Sequence, residues 1–224
     1  MDAIRLKSEK ELEFDRLRDR LDLEASHAAH HFDLLKGLDG SRTEYYREMN
    51  ESNTFWHLTS IAHRDAVLSH LCRLYDQHDA ALSLGRFLLT VKRNPNLFSE
   101  AAFQERLKDN PPVKTLFEAV DESELDRKLT SVSDSDPLVK SSIDLRDETI
   151  SHMGADGVRK GTPEGWLPVQ DIEGLLRRAR KLTSKYSLLF RASQYGGIAG
   201  ADDYKSTLRW VRKGLAFHQA EIEA

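Results

Sequence analysis

The chain has a single cysteine, Cys72, so no intramolecular disulfide can form, and this usage points to a reducing compartment. No stretch approaches the roughly 18 apolar residues that a membrane-spanning helix needs. The N-terminal run MDAIRLKSEKELEF also lacks the apolar core of a signal peptide. The expectation is a cytoplasmic protein that does not engage a membrane. Positive charge is not in excess: 33 Lys and Arg stand against 37 Asp and Glu, a formal net charge of −4. Contact with a nucleic acid must therefore come from a local patch and not from a global field. β-branched and aromatic runs of alternating polarity are missing almost everywhere, which excludes a core built on a sheet.

What the chain does have is apolar residues at three- and four-residue spacing over 224 residues, enough to bury a real core. Hydrophobic residues at 39% and charged residues at 31% fit a helical globule with a strongly solvated surface. A first helix reads from about Lys7 to Lys36 through Phe14, Leu17, Leu21, Phe32 and Leu35, and Gly37 with Asp39-Gly40 is expected to end it. The most apolar segment runs from Phe55-Trp56 to Leu74-Tyr75 and is expected to be the central core helix, with Trp56 and Trp210 in the core. Ser83 and Ser99 read as starts of short helices, stopped by Asn94-Pro95 and Asn110-Pro111-Pro112. Val113 to Lys128 reads as weaker helix. Asp136-Pro137 combines an N-cap with Pro at the first helical position, opening a helix over about 137–153. A loop over 154–168, rich in Gly and Pro, precedes two helices at about 169–195 and 204–222. The fold expected is all-α: one domain over 1–224, an up-and-down helical bundle with additional short helices.

The segment Leu145-Arg146-Asp147-Glu148-Thr149-Ile150-Ser151-His152 places an Arg, adjacent acids and a His near the end of a helix. Here the sequence resembles the HEPN family, whose signature is an Arg, a polar residue, and a His four to six residues on. The surrounding order resembles the HEPN branch associated with bacterial abortive infection, AbiU-type. It comprises a long first helix, an aromatic-rich second helix from Phe55-Trp56 to Leu74-Tyr75-Asp76, and a leucine-rich segment Leu82-Ser83-Leu84-Gly85-Arg86-Phe87-Leu88. The signature helix follows, then a long helix after Pro168-Val169. The resemblance covers most of residues 8–195. It implies a helical bundle that dimerises through the signature helices and cleaves RNA with no metal or other cofactor. Some HEPN toxins carry a Tyr two residues after the His as a modification site; here Gly154 stands there, so that regulation is not implied.

Helical geometry agrees with a dimer. Arg146 and His152 are six residues apart, hence about 120° apart around the axis and ~9 Å along it. One helix aims these side chains in different directions, whereas two packed around a two-fold axis bring Arg146 of one protomer to His152 of the other. RNA supplies its own nucleophile, the 2′-hydroxyl, so the protein needs a proton-transfer group and an anion clamp. His152 suits the first task and Arg146 the second. Glu148, one turn before His152, is placed to orient the imidazole, and Asp147 matches the polar position after the Arg. Arg159 and Lys160, in the following loop, are candidates for RNA phosphate contacts. The competing reading is an ordinary solvated helix face, with Arg146 paired to a nearby acid and His152 favoured by the helix macrodipole.

Two further classes remain open. One is a non-catalytic HEPN-like module that binds RNA or a partner protein, such as an antitoxin or another defence-system component. The other is a metal-binding helical bundle, because Glu24, His27 and His31 fall at i, i+3 and i+7 with His30 beside them. Bundle metal sites usually require a second Glu-x-x-His, which this chain lacks. Arg177-Arg178-Ala179-Arg180-Lys181, with Lys185 and Arg191, is the most basic stretch, readable as a phosphate collector or as a solvated face. Trp166 is readable as a base-stacking residue or as a loop anchor. Cys72 reads as a small buried hydrophobe.

Overall fold

The computed structural model describes residues 8–108, 117–146, 167–193 and 202–223. Among these there is helix and no strand. The helices are α1 (Glu9–Ser41), α2 (Tyr46–Asn50), α3 (Asn53–Leu74), α4 (Leu84–Arg93), α5 (Glu100–Arg106), α6 (Glu122–Ser131), α7 (Pro137–Arg146), α8 (Val169–Arg191) and α9 (Tyr204–Glu223). A 3-10 turn at Pro95–Phe98 joins α4 to α5. The all-α class is as the sequence implies, and no described helix is long and apolar enough to cross a membrane. The chain groups into two compact units, Met1–Ala25 with Ser69–Gly196, and Ser26–Leu68 with Gly197–Ala224.

In the first unit, Phe14, Leu17 and Leu21 of α1 recur at helical spacing and are buried. Phe14 meets the rings of Phe87, Phe98 and Phe190 at centroid distances of 5.1, 5.0 and 4.7 Å. Ser83 and Ser99 each accept from the backbone N–H three residues on, so both cap their helices as expected. Beside the apolar stripe of α1 runs a charged one. Glu11 pairs with Arg106 at 3.5 Å, and Asp15 and Asp19 pair with Arg191 at 3.4 and 3.0 Å. Arg106 also donates to the carbonyls of Phe190 and Leu97 at 2.7 and 2.6 Å and lies over the Phe190 ring. Segment 117–120 is not helical; α6 begins only after Asp121, whose carboxylate accepts from the Ser123 N–H at 2.8 Å.

The second unit buries Leu38, Tyr45, Met49, Trp56 and Leu208, with Tyr204 packed against them. α1 runs through Gly37 and Gly40 to Ser41 instead of ending at Gly37. Glycine inside a helix costs about 1 kcal/mol against alanine, an amount the burial of Phe32, Leu35 and Leu38 around it offsets. The missing side chain has a use: a Cβ at Gly37 would stand 2.7 Å from the Tyr204 hydroxyl, which lies 3.1 Å from Ser41 Oγ. Arg212 of α9 donates to Glu48 at 2.5 Å and to the Glu44 carbonyl at 2.7 Å. Trp56 is in the core as expected, but Trp210 is 69% exposed. The N-terminal half of α3 likewise exposes Phe55 and Leu58, and the buried residues of α3 gather from Val67 onward, at Val67, Leu68, Leu71, Cys72 and Leu74. Apolar content therefore overstated how central this helix is along its whole length.

α6 is tied to α8 by Glu124, which takes Lys128 at 2.7 Å and Lys185 at 2.8 Å. The hydrogen bonds from Lys128 and Lys185 pull the Glu124 carboxyl down from 4.5 to about 2. A carboxylate depressed in the folded state stabilises fully above its unfolded value near 4.5 and loses that contribution as pH falls towards 2. Urea midpoints of wild type and Glu124→Gln should therefore differ at pH 6 and converge as pH is lowered from 5 towards 2. A gap that stays constant across that window would contradict the ion-pair assignment.

Candidate active site around the signature helix

α7 is built as its sequence suggests. Asp136 Oδ1 accepts from the N–H groups of Leu138 and Val139 at 3.0 and 3.2 Å, and Pro137 occupies the first helical position, where a missing N–H costs nothing. The other carboxylate oxygen of Asp136 pairs with Arg178 of α8 at 3.1 Å. Arg178 also donates to the Ser131 carbonyl at the end of α6. One guanidinium thus fastens the end of α6 and the start of α7 to α8. Leu138 lies against Gly174, where an added Cβ would stand 3.4 Å from its Cδ2. On the side of α3, the Cys72 thiol donates to the Ser142 carbonyl at 3.7 Å, so Cys72 is the buried small side chain that was expected. Tyr75, whose phenol burial pushes above its ordinary value, donates to the Leu175 carbonyl at 2.7 Å.

These contacts settle which way α7 is turned. Val139 and Ser142 are fully buried and Leu145 nearly so, while Lys140, Ser141 and Asp144 face solvent, with Lys140 and Asp144 paired at 3.3 Å. Arg146 is seven residues after Val139 and four after Ser142, so at about 100° per residue it continues their inward stripe. It is half-buried. Lys140 and Asp144 form the solvated face of α7, and Arg146 is partly covered. Asp147, Glu148, His152, Arg159, Lys160 and Trp166 lie outside the described residues.

The basic stretch of α8 divides in two. Arg178 is bound to Asp136, Lys185 to Glu124 and Glu118, and Arg191 to Asp15 and Asp19. Arg177, Arg180 and Lys181 are exposed. The positioning roles of Arg178 and Asp136 were not separable from the general basic run in the sequence. The available signal was the N-cap itself, which marks Asp136 as a residue with a fixed carboxylate. The Glu24, His27 and His31 alternative loses its carboxylate. Glu24 is buried, with Oε1 2.8 Å from Arg20 and Oε2 2.6 Å from His70 Nδ1 and 2.9 Å from Arg73 Nε. Burial raises the Glu24 pKa, but the hydrogen bonds from His70 and Arg73 outweigh it and hold the group ionised. His31 Nδ1 lies 2.8 Å from His63 Nδ1. Among the described residues no group of three His, Cys, Asp or Glu could hold a metal ion.

Removing the cap and ion pair together with Asp136→Ala should cost about 1–2 kcal/mol of stability in urea unfolding, within the range of lost helix caps. Asp136→Asn keeps an accepting oxygen for Leu138 and Val139 and should cost less than half as much. Equal losses for the two variants would show that the Arg178 pair, and not the cap, dominates.

Comparison with curated proteins and comparison with solved structures each returned no match. The family model that matches is HEPN_AbiU2, described as AbiU2, and its match takes in residues 11–208, from the first described turns of α1 through the signature helix to Leu208 of α9. With most of its length so matched, and with helix and no strand among the described residues, the chain belongs to the AbiU2 family, the abortive-infection U-type branch of HEPN proteins.

Proposed function

We propose that this AbiU2-family protein is a metal-independent endoribonuclease of a bacterial abortive-infection or toxin-type defence system, acting as a homodimer with a composite site. The observation that carries the reading is the inward placement of Arg146 on a helix whose start is capped and ion-paired to α8. An Arg in that position can present its fork of donors to a substrate phosphate across a two-fold interface.

In this mechanism His152 of one protomer takes the proton from a ribose 2′-hydroxyl as its oxygen attacks the neighbouring phosphorus. The bond to the 5′-oxygen breaks, that oxygen receives a proton, and the products are a 2′,3′-cyclic phosphate and a 5′-hydroxyl end. Arg146 of the other protomer holds the non-bridging oxygens as negative charge builds on them, with its fork of donors fixed in a plane. Glu148 orients the imidazole, Asp147 supports the arginine, and Arg159 and Lys160 draw in RNA phosphates. No metal is required, since the nucleophile comes with the substrate.

Purified wild-type protein should cleave total RNA in the presence of EDTA, leaving cyclic or 3′-phosphate ends, while Arg146→Ala and His152→Ala each lose about 10²-fold or more of the rate. Mixing the two inactive variants should restore part of the activity, because one of the two sites in a mixed dimer is then intact. EDTA-sensitive cleavage, or full activity in either variant, would sink the mechanism. Absent cleavage with retained RNA binding would support the non-catalytic binding module instead.

A further inference from the structure

Three of the six cations on α8 have no ion-pair partner among the described residues, and they are neighbours. Arg177, Arg180 and Lys181 are exposed and sit at i, i+3 and i+4, on one face of the helix. The other three are each held by carboxylates: Arg178 by Asp136 at 3.1 Å, Lys185 by Glu124 at 2.8 Å, and Arg191 by Asp19 at 3.0 Å. Within one turn along α8, the acid in reach of the trio is Glu173, four residues before Arg177 and half-buried. Arg177 with Lys181, and Lys181 with Lys185, are like charges one turn apart, an arrangement that disfavours the helix. Acids of other elements thus match the remaining α8 cations, while this contiguous set is unmatched among the described residues, at some cost to the helix.

We propose that Arg177, Arg180 and Lys181 form a track for the RNA phosphate backbone, a substrate-holding surface additional to the Arg146 and His152 pair proposed for cleavage. The inference rests on the ribonuclease reading above. Arg177 and Lys181 are ~6 Å apart along the helix axis, comparable to the separation of neighbouring phosphates on one strand. Two guanidinium forks and an ammonium offer bidentate and point-charge contacts to successive phosphates of one strand. α8 is also the helix on which α7 rests, through Arg178 with Asp136 and through Leu138 against Gly174. A strand held on its outer face would therefore be held by the same rigid element that positions the signature helix.

The test uses full-length protein carrying His152→Ala, so that the probe is not consumed, and a fluorescein-labelled single-stranded oligoribonucleotide read by polarisation in EDTA. Adding Arg177→Gln, Arg180→Gln and Lys181→Gln should weaken binding at least tenfold near 100 mM salt. It should also lower the slope of log affinity against log salt by about 2, at roughly 0.7 for each phosphate of a single strand that is no longer neutralised. A control with Lys205→Gln, Arg209→Gln and Lys213→Gln on α9 should leave both quantities unchanged. Unchanged affinity and slope in the α8 variant, with helicity retained, would overturn the track and assign the face to an acidic protein partner or to solvent. No RNA binding by the parent at low salt would overturn it as well. The ribonuclease reading fails separately: RNA bound through this face by a wild type that cuts nothing removes the enzyme and keeps the track.

Discussion

The first unit depends on one helix, α8, and on how its two kinds of surface are used. Its buried side, with Ile172, Leu175, Ala179, Tyr186 and Phe190, supplies apolar contact. What fixes the neighbouring elements in place is polar. Tyr75 at the end of α3 donates to the Leu175 carbonyl, Arg178 grips the end of α6 and the start of α7, and Lys185 meets Glu124. Arg106 of α5 donates to the Phe190 carbonyl, and Arg191 takes Asp15 and Asp19 of α1. Apolar packing is non-directional and tolerates sliding; charge-assisted hydrogen bonds do not. The register of α5, α6 and α7 along α8 is therefore set by these few contacts.

Such contacts add little net stability when exposed and carry a desolvation penalty when buried. Glu11 and Arg106 are both nearly inaccessible, as is Arg18, which pairs with Asp15. Replacing this charged stripe with well-packed apolar residues would be neutral or stabilising on general grounds. Its retention on α1, directly beside the apolar stripe of Phe14, Leu17 and Leu21, makes sense if it selects a single alignment of α1 on α8 from several that apolar contact alone would allow.

Much of this was legible in the sequence. The capped starts at Ser83, Ser99 and Asp136, the stop at Asn94-Pro95, and α8 and α9 to within a few residues follow from local chemistry that acts over one helical turn. The errors have a common origin in tertiary contacts. Gly37 reads as a helix stop, yet the helix continues through it, held by the buried Phe32, Leu35 and Leu38, and the glycine serves to leave room for Tyr204. Trp210 reads as core, yet it faces outward on a helix whose one buried residue is Leu208. Periodicity locates a helix but does not say how much of it another element covers. The same limit applies to the candidate site: the signature points to Arg146, whereas its place on the stripe of Val139 and Ser142 follows only once those residues are known to be buried.

That orientation and the division of the α8 cations bear on each other. A helix that carries six cations could have used all of them to attach neighbours, and three are so used. Arg178 does most for the signature helix, because its pair with Asp136 acts on the first turn of α7 while Arg146 stands at residue ten. Over the ~15 Å between them, a small error in the direction of the first turn becomes a larger displacement of the guanidinium. Anchoring α7 at its start by a carboxylate that is also the helix cap removes that error at its source. The cations left over then have no structural task among the described residues, and a polyanion is the kind of ligand whose binding would compensate for keeping them together.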